Sequence, residues 1–300
     1  MALSVLRVSK RWFSLLLTGL LSLALPSYAE ETDETRPTVC VFYPDVPPPN
    51  RLVFLDILRG IERRFSPQNL CSRALEEPTD RSSLKQYVAE TRPRVVVTLG
   101  RIATQAFEET RLSLPQIIGA LDLSPATRPS ASGVSLTVDP EVLFQRLQRI
   151  VPTVKRVFVV YDPRRDSWII ERAKAAAASL GLELRAETAS NIIESAPIYG
   201  RWVRSAKSAT DAIWLTSNSS LAGDMNLVGY LIEKSWLRRV IVFSNILEHA
   251  RAGVLFATYP DTEALGRRLG TMAEQAARTP DKPLGIEPLR NSQMLCTGPG

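Results

Sequence analysis

The chain has one histidine, His249, and only three cysteines among 300 residues. That scarcity excludes much. A lone imidazole without Asp or Glu clustered around it leaves metal-assisted hydrolysis without ligands, and the cysteine spacing fits no metal motif. No G-x-S-x-G elbow lifts a serine nucleophile from a strand-to-helix turn, and no Walker A lysine loop cradles a nucleotide. Long blocks of one charge are absent as well. Lys and Arg are interspersed with Asp and Glu, which gives neither a nucleic-acid footprint nor a membrane-binding face. The apolar run Trp12 to Leu25 is shorter than the roughly 20 residues that cross a bilayer. An enzyme, a metal or cofactor carrier and a nucleic-acid binder are therefore not expected.

The N-terminus has the layout of a secretory signal. Arg7, Lys10 and Arg11 precede the apolar run, and Pro26-Ser27-Tyr28-Ala29 supplies small residues for cleavage. Residues 1–29 are read as a cleaved signal peptide, with the mature chain beginning at Glu30 in the periplasm. Removing these three cations from 37 Lys+Arg leaves 34 against 31 Asp+Glu, so the formal charge falls from +6 to +3. A hydrophobic share of 45% suits one large or two ordinary globular domains. Cys40 lies too far from the apolar run to be a lipid anchor. Cys40 and Cys71 sit on early strand candidates; they either pair or stay as buried thiols, and buried thiols are the expectation.

Hydrophobic periodicity gives a repeated strand-then-helix order. Pro37 to Asp45 is a short apolar run closed by turn residues, and Arg51 to Phe65 places Leu55, Leu58 and Ile61 on one helical stripe. The order recurs with a strand at Val95 to Gly100, a helix from Arg101 to Thr110 and a strand at Pro115 to Leu123. A Pro/Ser/Thr/Ala-rich stretch, Ser124 to Ser132, interrupts it. A second series follows: the strand GVSLTV, a helix over Glu141 to Pro152, a strand ending at Pro163, an Ala-rich helix stopped by Gly181, and the strand LELRAE. Asp211 to Ser220, a helix around Leu221 to Trp236 and a strand at Arg239 to Asn245 complete it. Continuously apolar strands separated by helices call for parallel sheets covered on both faces. The predicted class is α/β, with two doubly wound, Rossmann-like lobes and a ligand cleft where strand carboxyl ends face each other.

Several segments together resemble the ABC-transporter substrate-binding protein family, in the branch of type I periplasmic binding proteins whose better-known members bind aromatic amino acids. The likeness is carried by SGVSLTVDPEVLFQRLQRIVPTVKRVFVVYDP (Ser132 to Pro163), VTLGRIATQAF (Val97 to Phe107), DAIWLTSNSS, and VIVFSN with GVLFATYPDTEALGRRLG (Gly253 to Gly270). The resemblance implies a first lobe of residues 37–124 plus 246–280 and a second lobe of residues 131–245, with part of 281–300 assignable to the second. It also implies a monomer that captures a small polar or anionic organic solute by lobe closure and delivers it to a membrane permease driven by a separate ATPase. The alternative is a periplasmic ligand-binding module for a membrane sensor or envelope system, with the same cleft.

Candidate ligand contacts are the strand-end positions Tyr43, Thr98, Gly100, Arg101, Asp122, Tyr161, Asp162, Thr216, Asn218, Ser219, Ser244 and Asn245, with Trp168 just beyond. Ser, Asn and Asp at such places also cap helices, and Gly100 suits a tight strand-to-helix turn. Tyr43 and Tyr161 close corresponding strands, where the rings either sandwich a solute or pack at the lobe edge. Arg101 stands where the family's turn usually has Thr; a guanidinium beside a helix N-terminus suits a carboxylate, phosphate or sulfate group, or else swings to solvent. Asn245 stands where many relatives carry an Asp, which removes a partner for an amino acid's ammonium group. Trp168 is either a pocket wall or a surface-helix residue, and His249 is expected to be structural. The Pro-rich loop Pro44 to Asn50 borders the cleft, and the tail Pro283 to Gly300 matches the family poorly.

Overall fold

The apolar runs read from the sequence form the centres of two parallel sheets. The computed structural model describes residues 38–297; the expected signal peptide lies outside them. The first half of the chain runs β1 (Val39–Pro44), α1 (Asn50–Glu62), β2 (Leu70–Leu75), α2 (Arg81–Thr91), β3 (Val95–Leu99), α3 (Gly100–Thr110), β4 (Gln116–Leu121), β5 (Ser132–Val138) and α4 (Pro140–Ile150). Next come β6 (Arg156–Tyr161), α5 (Pro163–Ser179), β7 (Glu183–Thr188), α6 (Ile192–Ser205), β8 (Asp211–Leu215), α7 (Ser219–Ala222) and α8 (Met225–Arg238). The chain ends with β9 (Ile241–Ser244), α9 (Glu248–Ala252), β10 (Phe256–Pro260), α10 (Thr262–Arg278), β11 (Ile286–Leu289) and β12 (Ser292–Cys296).

One sheet has the order β11-β5-β4-β3-β1-β2 and the other β12-β10-β9-β8-β6-β7. All neighbours are parallel except β10 and β12. The central strands β1, β3 and β8 are buried at every position, as strands with helices on both faces must be. The expected α/β class with two lobes is what the chain forms.

The lobe boundaries differ from the expected ones. β5, assigned to the second lobe, pairs with β4 in the first sheet. A Cβ on Gly133 would overlap the Ile118 carbonyl, so only glycine lets β5 lie this close to β4. β10, assigned to the first lobe, pairs with β9 in the second sheet. The chain thus crosses at Asp139, at Asp261 and between β11 and β12, and hydrogen bonds join these crossings: Asp139 N to Leu289 O at 2.8 Å and Asp261 N to Asn291 O at 3.2 Å. The loop after β4 is a connection within one sheet, and a break in hydrophobic pattern cannot show that.

The cysteine expectation is also corrected. The parallel register of β1 and β2 sets Cys40 opposite Cys71, with Cα atoms 4.5 Å apart, and the two form a disulfide; Cys296 is free and exposed. In the first lobe, α1 crosses α10 through Gly60 and Gly266. A Cβ on Gly266 would overlap the Ile57 carbonyl, and one on Gly60 the Glu263 carbonyl. This close crossing fixes α1, whose N-terminus reaches the strand ends.

Two stability measurements check these contacts. The bond spans a sequence separation of 31, which constrains the unfolded chain by about 3–4 kcal/mol on the loop-entropy relation. The double variant Cys40→Ala/Cys71→Ala should lose a comparable amount in urea unfolding, and an unchanged midpoint would contradict the bond. Gly266→Ala should cost about 1–3 kcal/mol through overpacking, whereas Gly229→Ala, on a helix with open space around that position, should be neutral or stabilising.

Candidate functional site

The segment after β4 touches the start of α5: Ser124 Oγ donates to the Arg165 carbonyl at 2.8 Å, and Arg165 approaches Asp122 at 3.5 Å. These contacts bring the carboxyl ends of both sheets to one cleft, where ligands of doubly wound sheets bind.

On the first-lobe side, α1 and α3 begin without any side-chain cap, at Pro49 and Leu99. In contrast, α2, α4, α5, α6, α8 and α10 are each closed by an Asp or Asn whose oxygen accepts a backbone N–H. Beside these two helix starts is a cavity of about 370 Å³, lined by Pro44, Asn50, Phe54, Gly100, Arg101 and Ala120 among others. Gly100 has φ +76°, and a Cβ there would crowd the Phe54 ring, so the turn that starts α3 needs glycine. The Arg101 side chain is 69% exposed, and its recorded ion partner, Glu77, is 3.9 Å away. At α1 the Arg51 and Leu52 N–H groups donate to the Pro47 and Pro49 carbonyls, so it is the start of α3, beside a loosely held guanidinium, that suits an anion. A larger cavity of about 470 Å³ lies at the opposite end of the first sheet, with Gln116, Ser132 and Glu108 on its wall. The C-terminal ends of α3 and α10 reach it, so carbonyls rather than N–H groups point that way.

On the second-lobe side, Trp214, Phe243 and Phe256 are register partners across β8, β9 and β10, and their rings stack in turn. Two residues further along, on the same face, come Thr216, Asn245 and Thr258. Asn245 Oδ1 accepts from Trp214 Nε1 at 2.6 Å, which orients the amide. Its Nδ2 and the hydroxyls of Thr216 and Thr258 are buried without a hydrogen-bond partner among the described residues. Buried donors left unpaired are costly, and a bound polar solute can satisfy them.

At the start of α5, Asp162 caps the helix and accepts from Arg164 Nη2 at 2.7 Å. The Arg164 side chain thereby holds the Asp162 carboxyl below its ordinary pKa. Asp166 Oδ2 accepts from Asn218 Nδ2 at 2.9 Å and from the Asp162 backbone N at 3.1 Å. Burial nevertheless raises its pKa, with those hydrogen bonds opposing.

The cleft therefore gathers Gly100, Arg101, Asp122, Tyr161, Asp162, Thr216, Asn218 and Asn245 near strand ends; Ser219 begins α7 there. Other candidates are engaged elsewhere. Thr98 is wholly buried and accepts from Gln116 Nε2 at 3.0 Å. Tyr43 belongs to the core, and Trp168 packs half-buried against it. Ser244 is wholly buried, bonded to His249 Nδ1 at 2.8 Å. Sequence reading missed Asp166, Arg165, Ser135, Thr137 and Thr258. The first two lie four and three residues after Asp162, and an Asp one turn into a helix beside the cleft was the available signal.

The family model described as ABC transporter substrate binding protein matches residues 71–283. A ligand-free, open substrate-binding protein with adhesive properties from Clostridium difficile has a TM-score of 0.54 at 13% identity, covering 86% of this chain and 91% of that one. A periplasmic ribose ABC transporter structure from Conexibacter woesei gives 0.51 at 14%, covering 88% and 93%. The ABC domain from Streptococcus pneumoniae in complex with L-Trp gives 0.50 at 18%, covering 86% and 91%. At such identities the likeness is one of fold, that of the type I periplasmic binding proteins. No curated protein sequence matches significantly.

His249 sits in α9, buried behind the site, and burial lowers its pKa below the ordinary 6.5 while the Glu248 charge opposes. The folded state thus prefers the neutral ring. Its stabilising contribution is present above pH 6.5 and is lost as pH falls from there through the lowered value. Thermal unfolding across this window should show a steeper acid-side loss in the wild type than in His249→Gln; parallel curves would contradict the assignment.

Proposed function

Because this chain belongs to the family of ABC transporter substrate-binding proteins, we propose that it captures a small polar or anionic organic solute between its lobes in the periplasm. The loaded protein then delivers it to a membrane permease driven by a separate ATPase. The observation that carries the solute class is the cavity between the uncapped starts of α1 and α3, with Arg101 at its rim. An anionic group there meets backbone N–H donors and a guanidinium together. The unpartnered Thr216 hydroxyl and Asn245 amide supply polar contacts from the opposite lobe.

Location outside the cytoplasm rests on the N-terminal signal pattern and on the Cys40–Cys71 bond, a linkage that persists in oxidising compartments. Among the described residues no helix is long and apolar enough to cross a membrane, in keeping with a separate permease. One structural relative holds L-Trp and another is a ribose transporter, so the fold leaves ligand choice to the lining residues.

The test is a thermal-shift screen against carboxylates, phosphates, sugars, nucleosides and amino acids, followed by calorimetry. A ligand at 100 times its Kd adds about 2.7 kcal/mol to folding stability. An anionic hit whose affinity falls roughly tenfold or more in Arg101→Ala, the size of a lost charged hydrogen bond, is the expected result. Silence from every class would sink the capture role.

A further inference from the structure

The buried carboxylates of the second lobe and its hinge are matched with arginines. Asp139 meets Arg172 at 2.9 Å, Asp162 meets Arg164 at 2.7 Å and Asp211 meets Arg156 at 2.7 Å. Asp166, beside them at the start of α5, is not matched in this way. It is half-buried, and no Lys or Arg stands within ion-pair distance of it among the described residues. A carboxylate withdrawn from water without a cation is costly, and such sites mark function more often than chance.

Asp122 approaches from the first lobe, against Arg165, the residue next to Asp166; its charge adds to burial in raising the Asp166 pKa, and the Arg165 charge opposes. Hydroxyls of Ser135, at 3.2 Å, and Thr137 both donate to Asp122 Oδ1, which leaves Oδ2 directed at the second lobe. There it meets Arg165 Nη2 at a loose 3.5 Å, on a side chain 48% exposed. An exposed pair of this length contributes little, so the guanidinium is displaceable.

A second sign comes from α6 and from the end of β8. The Tyr199 hydroxyl is wholly buried without a hydrogen-bond partner, and Asp166 is close enough that its charge helps raise the Tyr199 pKa. Thr216, two residues before the Asn218 that holds Asp166, is also buried with an unpartnered hydroxyl.

We propose that the cleft seats the cationic group of an amine- or guanidine-bearing solute between Asp122 and Asp166, displacing Arg165 from Asp122. One cation between two carboxylates relieves their mutual repulsion and the unmatched burial of Asp166 together. The position already accepts a guanidinium, since Arg165 reaches one of the two carboxylates. This rests on the solute-capture reading and specifies one group of the ligand.

The test is calorimetry of the purified protein with a matched four-carbon set: 1,4-diaminobutane, its guanidino derivative agmatine, 1,4-butanediol and succinate. The broader solute panel is run beside it. Binding by the amine or guanidine members and not by the diol is expected. Asp166→Asn and Asp122→Asn should each weaken it roughly 10- to 100-fold, with melting temperatures confirming folded variants. Arg165→Ala should bind as well as the wild type or better. If a neutral or purely anionic solute binds and Asp166→Asn leaves its affinity unchanged, the cation site is wrong and solute capture stands. If no member of either panel binds, both readings fall.

Discussion

The structure depends on the crossing region around Asp139. This carboxylate is only 2% exposed, caps α4, pairs with Arg172 at 2.9 Å and approaches Arg290 at 3.7 Å, while its backbone N–H bonds to Leu289. Arg146 reaches the neighbouring crossing, donating to Ser292 Oγ at 2.9 Å. Three chain segments are thereby tied where the lobes join, and the strand ends face each other because of it. Removing one partner of such a buried network leaves a charge uncompensated.

Given that frame, the two halves of the cleft are built differently. The first lobe offers the uncapped start of α3, a largely apolar cavity and Arg101. The second offers a row of polar side chains at one level of its sheet, oriented by the Trp214–Asn245 hydrogen bond and by the stacked rings beneath it. In the proposed capture role, a solute bridging both halves would gain contacts from each only when the lobes are together, and that differential affinity would couple binding to closure.

The sheets were largely legible because their strands are continuously apolar. The helix over Ile192–Ser205 was not read from the sequence: Pro197 inside it and the Ser and Asn residues at its start interrupt a helical pattern, although Tyr199, Trp202 and Val203 bury one face in the second-lobe core. β11 and β12 were missed for a related reason. They are four and five residues long, and β12 is half exposed, so the alternation that marks a strand is weak. Among the candidate site residues, Arg101, Asp122 and Asn218 were chosen for their places after strands, and the structure sets them at the cleft. Thr98 and Ser244 satisfied the same rule, but their side chains turn inward, and one residue of register decides that.

The order of most strands and helices, the α/β class and the strand-end positions of most candidate site residues were determined by the sequence alone, since hydrophobic periodicity and turn residues act locally. Which sheet β5 and β10 join, the Cys40–Cys71 bond, the pairing of Asp122 with Arg165 and the isolation of Asp166 were decided only by tertiary structure. Each depends on contacts between residues far apart in the chain, set by register and close approach, which no local pattern encodes.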